Sequence, residues 1–272
     1  MKRYAAHHLV CCNHCGFVFA ARIPDAGTLL RHYEGYGRKN YLSPITVLRY
    51  EELLLSFEKF RQSNRLLDVG CGIGFFLEVA KAKNWQVQGT EFTDDAIRIC
   101  REKGLSVQQG MLQVENYESV SFDVITSFEV MEHINNPREE AQKFHALLRK
   151  GGIVYVTTPN FNALSRYLLR DKWNVIAYPE HLSYYTKTTL KKLFTEAGFS
   201  LLKMHTTGFS ITRVKTSLRL SQQSFVSATS DDEKLRETLE SSRMLKMLKS
   251  FVNRLLSLFG IGDSIKATFI KN

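Results

Sequence analysis

Residues 66–74, which read Leu-Leu-Asp-Val-Gly-Cys-Gly-Ile-Gly, constrain the fold of this chain more than any other stretch. The short apolar run at 65–69 predicts a buried strand, and an apolar helical pattern resumes directly after the last glycine. Glycines permit a tight turn and let a bound molecule approach the main chain closely. The sequence therefore predicts a strand, a glycine-rich loop and a helix, with a ligand at the loop.

Strands and helices continue to alternate beyond this loop. Further strands are predicted at residues 86–90, 106–109, 122–128, 153–157, 199–206 and 263–270, and helices at 44–60, from 75 to 83, from 94 to 103, at 137–148, at 188–197 and at 243–259. The expected apolar face of the first helix is Leu48, Leu53, Leu54 and Phe57. Such alternation is typical of a parallel sheet with helices on both faces.

An acidic residue, Glu91, follows the second predicted strand about twenty residues after the loop, where a carboxylate can accept both hydroxyls of a ribose. Nicotinamide enzymes combine a glycine loop with a distal acid in the same way. Three features separate this loop from theirs: its Gly-x-Gly-x-Gly spacing lacks their longer last gap, Asp68 precedes the first glycine by two residues, and the bulky pair Phe75 and Phe76 follows. Asp68 would orient the loop or accept from an ammonium group.

Four segments, residues 66–74, 87–91, 122–134 and 148–160, together resemble the class I S-adenosylmethionine-dependent methyltransferases. The resemblance is to quinone-biosynthesis O-methyltransferases and to zinc-ribbon sugar methyltransferases in particular. It implies a Rossmann-like α/β fold, a doubly wound and mostly parallel sheet of seven strands with an antiparallel last strand. It also implies an enzyme that uses S-adenosylmethionine.

The resemblance further implies which residues bind this cofactor. Asp68, Gly70 and Gly74 would hold its methionine part, with Cys71 and Gly72 between them in the loop, while Ser127 and Phe128 would line the methionine side. Glu91 would hold the ribose and Phe92 would flank the adenine. Similar proteins often carry an aspartate near the adenine after the third strand; here the sequence is Gly-Met-Leu, so Met111 and Leu112 would contribute backbone groups and apolar packing.

Methyl transfer from a sulfonium requires alignment of the acceptor, and it requires a base only where the acceptor must lose a proton. Glu129, Glu132 and His133 are spaced to share one side of a helical turn. They would bind a divalent metal, or His133 would act as the base; alternatively, Glu132 and His133 position the loop beneath the cofactor. Metal-dependent relatives show a similar Glu-x-x-Glu-His pattern, and so do many relatives without a metal.

His181 is a second candidate base, because it lies in an aromatic segment between the fifth and sixth predicted strands, where related enzymes build a lid over the acceptor. Alternatively, it caps or packs the following helix.

Cys12 and Cys15 have the two-residue gap of a zinc knuckle, and the segment resembles half of a zinc ribbon whose first half would lie upstream of Met1. His7, His8 and Cys11 would complete a zinc site, or the knuckle is vestigial. We therefore expect a partial zinc-ribbon-like segment at residues 1–40 and a methyltransferase domain at 41–272, with a helical insertion at about 210–260.

The net charge and the cysteine content limit which classes of partner and which cellular compartment are expected. Lys and Arg number 37 against 27 Asp and Glu, a formal net charge of +10, but there is no compact arginine-rich run, so nucleic acid is the less favoured partner. The odd, clustered set of five cysteines and the lack of an apolar signal core favour the cytoplasm. The pattern of residues 243–259 predicts a basic amphipathic helix. This helix would lie on a membrane surface, pack over the domain or form a dimer contact.

Taken together, these features predict methyl transfer to a small molecule, a sugar or a lipid-linked intermediate, by a monomer or homodimer. An RNA methyltransferase and a non-catalytic cofactor-binding partner subunit stay open as alternatives.

Overall fold

The computed structural model describes residues 2–25, 41–208, 217 and 243–272. Within them the strands are β1 (Leu9–Cys11), β2 (Val18–Ala20), β3 (Arg65–Val69), β4 (Gln86–Glu91), β5 (Ser106–Gln109), β6 (Phe122–Phe128), β7 (Leu148–Pro159), β8 (Ser183–Tyr184), β9 (Phe199–Thr207) and β10 (Ser264–Lys271). The α-helices are α1 (Pro44–Phe57), α2 (Phe75–Ala82), α3 (Asp94–Glu102), α4 (Pro137–Leu147), α5 (Leu164–Leu169), α6 (Lys187–Glu196) and α7 (Arg243–Phe259).

Seven strands form one sheet in the order β5-β4-β3-β6-β7-β10-β9. The five strands from β5 to β7 are parallel to their neighbours, whereas β10 runs antiparallel to both β7 and β9. The predicted Rossmann-like sheet with an antiparallel last strand is confirmed. Strand order reverses between β3 and β6, and ligands of such sheets bind beyond the carboxyl ends of the strands at this switch point.

Two apolar layers cover the two faces of this sheet, because successive side chains of a strand point to opposite faces. Leu67 packs in the layer that α4 and α6 cover, with Phe144 and Phe194, whereas its neighbour Leu66 packs in the layer that α1 and α2 cover, with Phe57. All five side chains are at most 1% exposed.

One buried carboxylate ties the chain before β3 to the next strands of the sheet. Asp123 on β6 is fully buried and accepts hydrogen bonds from the main-chain N–H groups of Gln62 (2.9 Å) and Ser63 (2.8 Å) and from the Arg149 guanidinium. Three donors meeting at one buried acid fix the entry into β3, and therefore the position of the glycine loop.

The helix predicted at residues 44–60 is an α-helix to Phe57 followed by a 3₁₀ turn, Glu58–Phe60. Leu54 and Phe57 are buried as predicted, but Leu48 is 59% exposed and does not belong to the apolar face. The buried face of α1 instead follows Val47, Tyr50, Leu54 and Phe57, and Leu48 lies about 100° around the helix from Val47, outside that face.

The N-terminal strands do not stand apart from the rest of the described chain. The β1–β2 hairpin pairs through β2 with β8, which forms a three-stranded antiparallel sheet. Its apolar side packs against the segment between β7 and β8, including Phe161 and Trp173. Residues 26–40 of the expected N-terminal segment, and all of the expected insertion except residues 217 and 243–260, lie outside the described residues, so the domain boundaries stay a prediction.

Among the described ranges, every helix falls short of the length and apolarity that crossing a bilayer requires.

Candidate functional site

The glycine loop, residues 70–74, joins β3 to α2, and two of its glycines have no room for a side chain. Gly70 has a φ of +72°, and a Cβ there would lie 2.4 Å from Val130 Cγ2. Gly74 has a φ of +81°, and its Cβ would lie 2.4 Å from Leu105 Cδ1. The positive φ values and the close neighbours both demand glycine, so the loop passes tightly between two packed elements.

Glu91 lies at the end of β4 and its carboxylate contacts this loop directly. One oxygen accepts from the Gly72 N–H at 2.8 Å, and the other accepts from the N–H groups of Phe92 (2.8 Å) and Thr93 (3.0 Å) and from the Thr93 hydroxyl (3.1 Å). The residue expected to hold a ribose therefore also fixes the glycine loop to the start of α3.

Two exposed apolar side chains lie beside Glu91, next to the glycine loop. Phe92 is 39% exposed and Met111 is 51% exposed, and the Gly110 N–H donates to the Glu91 carbonyl at 2.8 Å, which holds the two segments together. Leu112 is 1% exposed and packs in the core, and its contact with an adenine stays a prediction.

The ends of β3 and β6 lie side by side next to the glycine loop. Asp68 is 2% exposed and accepts from the Thr126 hydroxyl at 2.7 Å. Ser127 pairs in register with Val69, and its hydroxyl is fully buried with no hydrogen-bond partner among the described residues. A buried hydroxyl without a partner costs about 1–3 kcal/mol, which a bound polar ligand would recover.

Phe128 belongs to an aromatic cluster that the sequence analysis did not identify. Its ring packs against Phe76 of α2 (4.9 Å between centroids), Tyr155 of β7 (5.7 Å) and Tyr50 of α1 (6.1 Å). The cluster forms one wall where the carboxyl ends of the parallel strands meet. No local pattern links Tyr50 to Phe128, because they meet only through the fold.

A short 3₁₀ turn, Met131–His133, follows β6 and brings Glu132 and His133 to His181. One potential ligand atom from each of the three residues lies within 4.8 Å of the others, and the two imidazole rings are in edge contact with centroids 4.8 Å apart. Ligand atoms bound about 2.1 Å from a tetrahedral metal lie about 3–4 Å apart, so these three atoms would have to approach one another by up to about 1 Å to share an ion.

Carbonyl contacts set the protonation of both imidazoles. Nδ1 of His133 lies 3.0 Å from the Glu180 carbonyl oxygen, and Nδ1 of His181 lies 2.7 Å from that of Val175. A carbonyl only accepts, so each Nδ1 carries the proton and donates it. In the neutral rings Nε2 is then the basic nitrogen, which is the arrangement that metal-binding and proton-accepting histidines use.

Glu132 is fully enclosed beside these rings. It is 3% exposed and accepts from the Thr158 hydroxyl at 2.9 Å. Burial, and then the charge of Glu129, raise the pKa of its carboxyl well above the ordinary value. Glu129 itself lies outside the group of three, so among the described residues the metal-capable set contains His181 where the sequence suggested Glu129.

Cys12 and Cys15 form the expected knuckle, in which the Gly16 N–H donates to the Cys12 carbonyl at 2.9 Å. Hydrogen bonds from Cys15 and His14 lower the pKa of the Cys12 thiol. Within the part of the chain that the structure describes, neither cysteine belongs to a group of three or more metal-capable residues, and zinc binding stays a prediction.

The sequence of this chain is similar to those of known proteins. Residues 43–204 match the family described as "Methyltransferase domain". The ubiquinone biosynthesis O-methyltransferase of Thiobacillus denitrificans is 34% identical over 112 residues, which are 39% of this chain and 48% of that protein. The chain thus spans about half the length of the curated relatives it matches.

Solved structures share the fold at lower identity. An S-adenosylmethionine-dependent methyltransferase from Archaeoglobus fulgidus superposes with a TM-score of 0.57 and 17% identity, over 91% of this chain and all of that one. Haemonchus contortus phosphoethanolamine N-methyltransferase 2 in complex with S-adenosylmethionine gives 0.52 and 18%, over 90% of this chain and 57% of that one. Because the family match covers more than half of the chain, this protein belongs to the methyltransferase domain family, within the class I S-adenosylmethionine-dependent methyltransferases.

Proposed function

We propose that this protein transfers the methyl group of S-adenosylmethionine to an oxygen of a small-molecule acceptor, a sugar or a lipid-linked intermediate. The observation that carries the proposal is the juxtaposition of Glu132, His133 and His181 beyond β6, at the sheet edge that also carries the glycine loop. The curated relatives, named as ubiquinone biosynthesis O-methyltransferases, support an oxygen acceptor.

The residues around the glycine loop fit the cofactor. Asp68 and Ser127 would bind its methionine part, Glu91 its ribose, and Phe92 and Met111 would sandwich its adenine. The partnerless Ser127 hydroxyl and the two exposed apolar side chains each support this fit. When bound, the cofactor supplies an electrophilic methyl group on a sulfonium.

The acceptor hydroxyl would lie beside the two imidazoles. An alcohol or phenol must lose its proton as its oxygen is methylated, and the Nε2 atoms of His133 and His181 are suited to receive it. A divalent cation held by these nitrogens and Glu132 would lower the pKa of the same hydroxyl. Two imidazoles and one carboxylate favour Zn²⁺, Mn²⁺ or Fe²⁺ over Mg²⁺.

The acceptor class is tested by incubating the protein with methyl-labelled S-adenosylmethionine and fractionated cell extract. Label in a small-molecule, carbohydrate or lipid fraction is the expected result. Label in RNA would favour the RNA methyltransferase, and cofactor binding without transfer to any fraction would favour the non-catalytic partner subunit.

The role of the histidine cluster is tested with His181→Ala, using His145→Gln as the matched control. His145 is also half-buried and packs edge-on against an aromatic ring, Phe199, but that contact lies at the opposite edge of the sheet. His181→Ala should lower turnover of the labelled acceptor by about 100-fold or more, with little change in cofactor affinity. Equal turnover in the two variants would refute the role.

The metal is tested separately from activity. Metal analysis of the dialysed protein, and calorimetric titration with Zn²⁺ and Mn²⁺, should give one ion per chain for the parent and at least about tenfold weaker binding for His181→Ala. Unchanged ion binding in that variant would leave proton transfer as the function of the pair.

A further inference from the structure

Helix α7 exposes a continuous apolar face. Eight of its side chains are between 40% and 76% exposed, and they recur three or four residues apart, which places them along one side of the helix. The α7 apolar face consists of Met244, Met247, Leu248, Phe251, Val252, Leu255, Leu258 and Phe259. A patch of this length is more than the scattered apolar residues that any surface carries.

The other side of α7 attaches the helix to β9. The Thr206 hydroxyl donates to the Leu256 carbonyl at 2.9 Å, and the Gly208 N–H donates to the Asn253 side chain at 3.0 Å. Leu256 is 8% exposed and packs inward. Leu256 and these polar contacts thus hold the helix on one side, while its larger apolar face points outward, the reverse of the usual surface helix.

The surroundings of α7 are cationic. The helix contains two arginines and two lysines and no acidic residue. Beside it, burial and then the charges of Arg49 and Lys249 lower the pKa of the Lys266 ammonium, so three cations from α1, α7 and β10 lie close together. An acidic group from the loop after β6, Glu129, also faces Lys266 and acts in the opposite direction.

We propose that the α7 apolar face binds the surface of an anionic lipid bilayer. A helix with one apolar face and flanking cations lies in the plane of such an interface, with its apolar side chains among the acyl chains. Anionic headgroups complement the positive charge of α7, which contains four cationic residues and no acidic one. This inference is independent of the methyl acceptor.

The direction of α7 gives this docking a consequence for the candidate site. The helix ends at Phe259, and residues 260–263 lead directly into β10, whose first residue, Ser264, pairs with Pro159 at the end of β7. That end of β7 lies at the side of the sheet where the parallel strands have their carboxyl ends, which is also where the glycine loop lies. A bilayer under α7 therefore lies beside the edge at which the acceptor would enter.

Co-sedimentation with extruded vesicles tests the proposal. The full chain should bind vesicles of equal parts phosphatidylglycerol and phosphatidylcholine, bind pure phosphatidylcholine at least about tenfold more weakly, and dissociate as ionic strength rises from about 0.05 M to about 0.5 M. The triple variant Met247→Gln, Phe251→Gln, Leu258→Gln should lose at least about 100-fold in affinity for the anionic vesicles.

The matched control is Leu55→Gln, which removes an equally exposed leucine (74%) from α1; it should bind like the parent. Circular dichroism and thermal melting should show all variants folded, because the replaced side chains are exposed. Parental vesicle binding by the triple variant would overturn the proposal. So would the absence of vesicle binding in a parent that forms a dimer which the triple variant abolishes, because the face would then be covered by a second copy of the chain.

Discussion

Replacing Glu91 gives the sharpest test of the cofactor site. Its carboxylate already accepts four hydrogen bonds, three at one oxygen from the Phe92 and Thr93 N–H groups and the Thr93 hydroxyl, and one at the other from the Gly72 N–H, so little accepting capacity is left before a ligand arrives. Ribose hydroxyls must displace or share these donors, and each hydrogen bond is therefore worth only the lower end of its range, about 1.5 kcal/mol. Two bonds give about 3 kcal/mol, or about 150-fold in affinity.

Isothermal titration calorimetry with S-adenosylmethionine is the assay. Glu91→Ala should bind about 150-fold more weakly, and Glu91→Gln, which keeps one accepting oxygen, should lose about tenfold. The control Thr93→Val removes one of the four donors without touching the carboxylate and should stay within about threefold of the parent. If Glu91→Ala binds like the parent, Glu91 serves only the fold of the loop, and the ribose assignment is refuted.

Three further predictions concern stability and are measured by chemical denaturation. Burial raises the pKa of Glu140 to about 7, so the folded protein retains a proton that the unfolded chain releases near pH 4.5, and parental stability should fall as pH rises through this window. Glu140→Gln should therefore be about 2–3 kcal/mol more stable than the parent at pH 8 and equal to it at pH 4. A difference in stability that does not depend on pH would contradict the assignment. Asp123→Ala should cost about 3–5 kcal/mol because it leaves Arg149 and two main-chain donors without their acceptor, and a loss under about 1 kcal/mol would show that the ion pair does not fix the chain before β3. Trp173→Ala should cost about 3–5 kcal/mol because the indole is 1% exposed and donates to the Ser165 hydroxyl at 3.0 Å, and parental stability would mean that the segment between β7 and β8 is not part of the cooperative fold.

The sequence identified the large sheet well because its signals are local. Strands β3 and β6 and the second half of β7 contain short apolar runs, and the glycines at 70 and 74 mark a tight loop with positive φ. The sequence predicts that Glu91 belongs to the site, because it follows the glycine loop by about twenty residues at the end of the next strand. Its hydrogen bond to Gly72 could not be predicted, because that contact depends on how β3 and β4 pair.

Contacts between distant parts of the chain could not be predicted from the sequence. His133 and His181 are 48 residues apart, and only the return of the chain from β7 through β8 brings their rings together. The pairing of β2 with β8 joins residues more than 160 positions apart. The period of α7 was correctly identified, but a hydrophobic pattern alone does not determine whether the apolar side of a helix faces the core or the surroundings.

Calorimetric titration of the full chain with S-adenosylmethionine tests the central claim most directly, since the proposed function depends on this cofactor. The account predicts one molecule bound per chain, displaced competitively by S-adenosylhomocysteine, because both share the ribose and adenine that Glu91, Phe92 and Met111 would hold. A chain that is folded by circular dichroism and shows no heat of binding at millimolar cofactor would contradict it.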